Sequence, residues 1–275
     1  NVMDMKCPCA PYGLKMACGE KPKRFYVCHG QSPMTRMGNV AGYRAAWIEA
    51  ADYRDKMAAG EATMRDLKLE TLAGVLDGEI LVHNHCYRAD EMSVMLDVAK
   101  EFDYRVSTFH HAVEAYKIAD LLAENDVCAA VWADWWGFKM EAYDGIRENA
   151  AILDRAGACA VIHSDDDFGI QRLNQEAAKV MGAAAQVGMQ IAPERAIQWI
   201  TRNAAKSLGI LEQTGTLESG KMADVVVWDG DPFSVYTKVD QVYIDGALAY
   251  DRNDPTANPV SDFSLGTAAV NGGAR

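Results

Sequence analysis

Short apolar runs alternate with amphipathic stretches through the first 210 residues of the chain. Apolar runs of four to eight residues bounded by turn signals are typical of buried strands, and apolar residues repeating every three or four positions are typical of helices. The pattern predicts strands at 13–18, 79–85, 104–111, 127–131 and 158–163. It predicts helices at 39–59, 65–76, 90–102, 113–124, 145–155 and 169–209. Strands that alternate with helices indicate a parallel α/β architecture.

The pattern changes after residue 210. Short strands are predicted at 223–229 and 239–245, with turn signals after each of them. We therefore divide the chain into a barrel part at 1–210, a small β segment at 211–252 and a loose tail at 253–275. The tail is rich in Gly, Ala, Asn and Pro, a composition typical of a chain end without regular structure.

The number of predicted parallel strands is too small for a closed barrel. A (β/α)8 barrel of the TIM type needs eight strands, and this chain offers about five βα units. An open set of buried parallel strands leaves backbone groups unpaired, which is costly. We expect an α/β fold that is a partial (β/α)8 barrel. Its remaining strands are expected on a missing N-terminal segment or on a separate chain.

Composition and charge exclude some partners. The formal net charge is −12 and the sequence pI is about 4.9, which argues against nucleic acid and anionic membranes as partners. No apolar run approaches the length of a transmembrane helix, and no secretory signal is visible. The sequence leaves the compartment open between cytoplasm and periplasm.

Seven cysteines are an odd number, and their scatter does not resemble a disulfide framework. Cys86, Cys128 and Cys159 lie in or beside apolar runs and are expected to be free and buried. The N-terminal region also has cysteines and a histidine, with a spacing that fits no familiar zinc finger. These residues are Cys7, Cys9, Cys18, Cys28 and His29.

Polar side chains follow three of the predicted strands: His85, the pair His110-His111, and Asp165. His, His and Asp at the carboxyl ends of parallel strands are how a hydrolytic zinc site is assembled from separate βα units. Because side chains alternate along a strand, His83 points the same way as His85 but lies deeper. By the same alternation, His110 is expected to point away from His111, behind the site or at the surface.

Two motifs near the C-terminal end carry a family resemblance. Residues 200–209 read ITRNAAKSLG and residues 216–228 read TLESGKMADVVVW. Together they resemble the C-terminal signature of the amidohydrolase superfamily, in its imidazolonepropionase-like branch, and the resemblance extends from about Gly13 to Asp251. It implies a distorted (β/α)8 barrel with a β-sandwich built from both chain ends. The 211–252 segment would then be part of that sandwich.

The resemblance also implies a metal-ligand set. In this family a His-X-His on strand 1, a lysine carbamate or Glu on strand 4, His on strands 5 and 6, and Asp on strand 8 hold one or two divalent ions. Carried over by position, His85 resembles the strand 5 ligand, His111 the strand 6 ligand and Asp165 the strand 8 aspartate. Lys15 and Glu20 both remain candidates for strand 4. Strand 1 has no counterpart here, because His83-Asn84-His85 lies too far along the barrel.

The implied activity is metal-dependent hydrolysis of an amide or cyclic amide C–N bond. A dipeptidase-like activity is one form of this reaction. Zn²⁺ is the favoured ion, and Asp165 would act as general acid and base on a small-molecule amide or peptide substrate. A deaminase and a catalytically incomplete subunit that needs a partner chain are the alternatives. We also expect a homo-oligomer.

Further residues near the strand ends are candidates for substrate contacts. Tyr87 and Arg88 directly follow His85, and Arg88 has the alternative of an ion pair with Asp90 or Glu91. Trp135 and Trp136 suit a substrate wall, and core packing is an equally good interpretation of them. Other polar residues of the region receive structural assignments: interior packing for His163, a loop position for His29, and helix capping for Asp166 or Asp167.

Overall fold

The computed structural model describes residues 6–7, 10–61, 64–254 and 256. These residues form two compact units, the first ending at Thr216 and the second beginning at Leu217. The boundary lies six residues after the one predicted from the change in pattern. Each unit is described by itself below.

The first unit is built on a five-stranded sheet. Its strands are β1 (Tyr12–Ala17), β2 (Ile80–His85), β3 (Val106–His110), β4 (Cys128–Val131) and β5 (Cys159–Ile162). The strand order follows the sequence, and every neighbouring pair is parallel. In the described residues β1 and β5 are edge strands that do not pair with each other. The sheet therefore fits the predicted partial TIM-like barrel.

Helices connect and cover these strands. They are α1 (Glu20–Val27), α2 (Arg36–Ala58), α3 (Leu67–Leu76), α4 (Ala89–Glu101), α5 (Ala119–Glu124), α6 (Asn149–Arg155), α7 (Leu173–Gln186), α8 (Pro193–Ala196) and α9 (Arg202–Ser207). Short 3-10 turns span Ala115–Ile118, Met140–Ala142, Gly169–Arg172 and Ile197–Ile200. None of the described helices has the length and apolar composition needed to cross a bilayer.

Two stretches differ from the predicted helices. Helix α1 was not predicted, because its Lys-rich sequence, interrupted by Pro22, carries no apolar period. The stretch predicted to be helical at 169–209 contains three separate helices, α7, α8 and α9, with 3-10 turns. Gly188 has a left-handed φ of 80° just after α7, and Pro193 begins α8, so neither position continues the preceding helix.

The expectation of free buried cysteines was wrong. Cys128 and Cys159 face each other in register on β4 and β5, with Cα atoms 4.3 Å apart, and they form a disulfide. Cys86 forms a second disulfide with Cys18. Both pairs join neighbouring strands that are distant in sequence, which spacing alone does not reveal. Of the N-terminal cysteines, Cys18 is held in this disulfide, and Cys9 lies outside the described residues.

The second unit contains a small antiparallel sheet. Its strands are β6 (Val225–Trp228), β7 (Val239–Ile244) and β8 (Ala247–Asp251), in that order. The described residues of this unit form one sheet and no second layer, so the predicted sandwich is not seen here. Most of the predicted tail, 253–275, lies outside the described residues.

Buried apolar side chains of α2 pack against the rest of the first unit. Trp47 is 1% exposed, and its ring lies 4.5 Å from that of Tyr104, which precedes β3. The next residue, Ile48, lies about 100° further around the helix and is 61% exposed. The pair therefore provides a matched test of which helix face stabilises the fold.

We predict that Trp47→Ala lowers the free energy of unfolding by about 3–5 kcal/mol, because it leaves a large cavity in a packed interior. Ile48→Ala should change it by less than about 0.5 kcal/mol. Urea unfolding followed by circular dichroism measures both values. Equal losses in the two variants would contradict the packing described for α2.

Candidate metal centre

Two histidines meet at the carboxyl ends of β2 and β3. His85 is the last residue of β2, and His111 directly follows β3. Both side chains are buried, and their ring centroids are 4.7 Å apart. His111 has a left-handed φ of 59°, so the chain turns sharply as it leaves the strand and directs this ring towards His85.

The two rings present nitrogen atoms without hydrogen-bond partners. His85 Nε2 and His111 Nδ1 are buried, and neither has a partner within hydrogen-bond distance. Burial lowers the pKa of His85 to about 4 and that of His111 to about 2, with nearby charges of the same sign contributing less. Both rings are therefore neutral near pH 7, the state in which imidazole binds metals.

Asp165 lies beside these rings, on the loop after β5. Its Oδ2 is 3.6 Å from His111 Nδ1, and its side chain is 58% exposed. Its φ of 50° places it, like His111, at a sharp turn after a strand. The donor atoms of His85, His111 and Asp165 do not all lie within 4.8 Å of one another. The exposed carboxylate has room to move towards the two rings.

Hydrogen bonds from buried side chains hold the loops that carry these residues. Asn149 Nδ2 donates to the carbonyl oxygens of Ala112 and Val113, at 3.0 and 2.9 Å, just after His111. Trp132 Nε1 donates to the carbonyl of Ser164, at 2.7 Å, just before Asp165. Both donors are buried, so these bonds fix the loops from the interior side.

The two candidates for the strand 4 ligand lie in different places. Lys15 pairs in register with His83 and lines a cavity of ≈ 380 Å³ that it shares with His83 and His110. Glu20 begins α1 and lines a different cavity of ≈ 450 Å³, which also contains His85 and Asp165. Burial lowers the pKa of Lys15, and the charge of Asp165 opposes this shift.

His110 does not point away from His111 as expected, because their ring centroids are 6.1 Å apart. Its Nε2 is 3.0 Å from His83 Nδ1, and burial lowers the pKa of His110 to about 3. The alternation rule failed because it applies only within a strand. The strand ends at His110, and the left-handed turn at His111 brings both rings to the same side.

His163 was assigned to ordinary interior packing, but it belongs to the same cluster. Its ring centroid is 5.0 Å from that of His111 and 4.9 Å from that of Trp132. Its Nε2 is buried without a hydrogen-bond partner, and burial lowers its pKa to about 4. Its position directly after the last apolar residue of β5 was the signal that could have identified it.

The predicted substrate contacts divide into two groups. Tyr87 lies at the centre, with its ring 5.1 Å from that of His85, and Lys139 Nζ lies 3.7 Å from the tyrosine centroid. Arg88 instead forms a bidentate ion pair with Asp90, which was the alternative to a substrate contact. Trp135 and Trp136 line a small separate pocket with Trp132, away from the cavity of His85 and Asp165.

Cations around the ≈ 450 Å³ cavity were not predicted. Lys21 and Arg24 of α1 line it together with Lys139, which forms a 2.7 Å ion pair with the buried Glu141. The charges of Lys21 and Lys139 contribute to the lowered pKa of His85. Glu20 was the one residue of α1 that the sequence analysis connected with the site, and the cations of this helix were not.

Comparison with known proteins identifies the family. The amidohydrolase family profile matches residues 49–249, so the chain belongs to the amidohydrolase family. It is 31% identical to the amidohydrolase tasK of Hapsidospora irregularis over 94% of this chain, and 30% identical to the imidazolonepropionase of Brucella suis over 58%. An amidohydrolase structure from Thermotoga maritima superposes on 87% of this chain with a TM-score of 0.78 and 34% identity.

The chain spans 27% of the Hapsidospora protein, 43% of the Brucella protein and 63% of the Thermotoga chain. The resemblance inferred from the two C-terminal motifs is confirmed at the level of the superfamily.

The buried histidines make the metal-free protein sensitive to acid. The pKa of His110 is about 3 in the folded chain, against 6.5 for an unperturbed histidine. Between these values His110 binds a proton in the unfolded chain and not in the folded chain. The free energy of unfolding is therefore not reduced by His110 above pH 6.5, and it falls as the pH falls below that value.

We therefore predict that His110→Asn flattens the loss of stability between pH 6.5 and pH 5. The difference in slope should reach up to about 1.4 kcal/mol per pH unit relative to the wild type. Urea unfolding of the metal-free proteins at several pH values gives the two slopes. Parallel slopes would show that His110 is protonated equally in both states.

Proposed function

We propose that this chain carries part of the metal centre of a hydrolase that cleaves amide or cyclic amide C–N bonds, with dipeptidase-like substrates among the candidates. The observation that supports this proposal is the meeting of two buried, neutral imidazoles with unpartnered nitrogens beside Asp165. Family membership provides independent support for the reaction class.

His85, His111 and Asp165 would hold a divalent ion, and Zn²⁺ suits a donor set of imidazole nitrogen and carboxylate oxygen. Lys15 and Glu20 are both kept as candidates for a further ligand. A bound ion of this kind would acidify a water and polarise the scissile carbonyl. The unpartnered nitrogen atoms fit such an ion, because a buried polar atom without a partner is otherwise costly.

Asp165 is proposed to move the proton. Its exposed carboxylate accepts a proton from the attacking water and donates it to the leaving nitrogen, which departs as an amine. Tyr87, packed against both imidazoles and beside Lys139, is placed to orient the substrate carbonyl. The products are a carboxylic acid and an amine, or an opened ring.

The remaining barrel strands and a His-X-His are proposed to come from residues outside this sequence, on a preceding segment or on a separate chain. This part of the proposal is supported by the two edge strands, β1 and β5, which do not pair with each other in the described residues. A homo-oligomer stays a prediction.

We predict that Asp165→Asn lowers kcat by at least about 100-fold, because the general acid–base group is lost. Asp167→Asn, two residues along the same exposed loop, should leave kcat near its wild-type value. The assay uses the full-length protein and a panel of N-acyl amino acids, dipeptides and cyclic amides, and measures amine and ammonia separately. Wild-type kcat in Asp165→Asn would exclude the assigned role, and ammonia as the sole nitrogen product would favour a deaminase.

We also predict that His85→Asn combined with His111→Asn weakens zinc binding at least about tenfold, because two ligands are removed. Zinc per chain is measured by elemental analysis after dialysis, with both disulfides kept oxidised so that their four sulfur atoms do not contribute. His29→Asn is the control, since this exposed histidine donates from Nδ1 to the backbone carbonyl of Phe25. Unchanged zinc in the double variant would place the ion elsewhere.

A further inference from the structure

Two cysteines occupy the positions just after β1 and β2, the strands that carry Lys15 and His85. Cys18 directly follows β1, and Cys86 directly follows His85. Both are buried and joined in a disulfide, with Cα atoms 5.2 Å apart. Neither the family resemblance nor the proposed hydrolytic mechanism uses this pair.

A buried carboxylate lies beside the two sulfur atoms. Glu91, in the first turn of α4, is 9% exposed, and one of its oxygens and both sulfur atoms all lie within 4.8 Å of one another. Glu91 Oε1 accepts a hydrogen bond from Arg36 Nε at 2.7 Å. Glu91 Oε2 is buried and has no hydrogen-bond partner. A buried carboxylate oxygen without a partner is costly unless a hydrogen-bond donor or a cation binds to it.

The space between these groups is kept free of other side chains. A Cβ atom built on Gly19 would lie 2.7 Å from Glu141 Oε2 and 3.1 Å from Glu91 Oε2. Gly19 also has a φ of 80°, which favours glycine. Two buried carboxylates thus converge beside the cysteine pair, and the charge of Glu141 contributes to a raised pKa of Glu91, for which burial is the main cause.

Two thiolates and a carboxylate form a donor set that suits Zn²⁺, with its tetrahedral geometry and affinity for sulfur, better than it suits Mg²⁺ or Ca²⁺. The sulfur atoms can act as thiolates only when the bond between them is broken. We propose that Cys18, Cys86 and Glu91 form a second cation site, for Zn²⁺ or a similarly thiophilic ion, that is available in the reduced protein and closed by the disulfide.

A dithiol reductant can open the Cys18–Cys86 disulfide in a balanced reaction. The dithiol supplies two electrons and two protons, the S–S bond becomes two thiols, and the reductant closes to its own disulfide. Binding of the ion then releases the two thiol protons to solvent. A water would complete four ligands. The two sites use different donor atoms, because the histidine centre contains no sulfur.

Co²⁺ is the probe for this site, since thiolate ligands give it an intense near-ultraviolet charge-transfer absorption that imidazole and carboxylate do not. The full chain is reduced with a dithiol, freed of the reductant without air and titrated with Co²⁺. We expect the band to appear with about one equivalent of Co²⁺ in the reduced protein and to be absent from the oxidised protein.

Substitutions locate the ligands. Cys18→Ser combined with Cys86→Ser should abolish the band, and Glu91→Gln, which keeps both sulfurs, should weaken Co²⁺ binding at least about tenfold. Cys128→Ser with Cys159→Ser, Cys28→Ser, and Cys7→Ser with Cys9→Ser are the matched controls and should retain it. Circular dichroism checks that each variant is folded.

Three results would overturn the proposal: a reduced wild type without the band, a band that persists in the Cys18 and Cys86 double variant, or a disulfide that resists the dithiol. A band lost in a control variant would assign the thiolate ligands to those cysteines instead. Because the band reports sulfur alone, a failed test of His85 and His111 leaves these outcomes unaffected.

Discussion

The candidate centre depends on the parallel pairing of five strands in sequence order. Adjacent parallel strands share one direction, so their carboxyl ends lie along the same edge of the sheet. The hydrogen bonding continues one residue beyond the strands: the amide of Cys18 donates to the carbonyl of His85, that of Cys86 to His110, and that of His163 to Val131. Residues distant in sequence are thereby fixed beside one another before any side-chain interaction is considered.

Backbone conformation at the strand ends then decides which side chains meet. His111 and Asp165 both have left-handed φ values, of 59° and 50°. Such values are uncommon outside glycine, although Asp and His adopt them more readily than most residues. The two turns bring these residues to within 3.6 Å of each other. A change that relaxed either turn would separate the pair while leaving the sheet intact.

The part of the fold that depends on local pattern could be predicted from the sequence. The apolar runs identified all five parallel strands, and the polar residues after them identified the neighbourhood of His85, His111 and Asp165. The relative direction of His110 and His111 could not be predicted, since alternation gives no information about His111, which lies beyond the strand end. The pairing of Cys128 with Cys159 depends on register between strands, and the contribution of α1 to the cavity depends on how the chain folds back. Both are properties of tertiary structure.

Two kinds of metal-binding donors also follow each other in sequence at one strand end. His85 points towards the imidazole cluster, and the next residue, Cys86, packs with Cys18 and Glu91. The same peptide therefore borders a nitrogen and oxygen donor set on one side and a sulfur donor set on the other. Cys18 is tied to His85 by the 2.8 Å bond between their backbones, so any change of state at the cysteine pair acts on the backbone that positions the histidine.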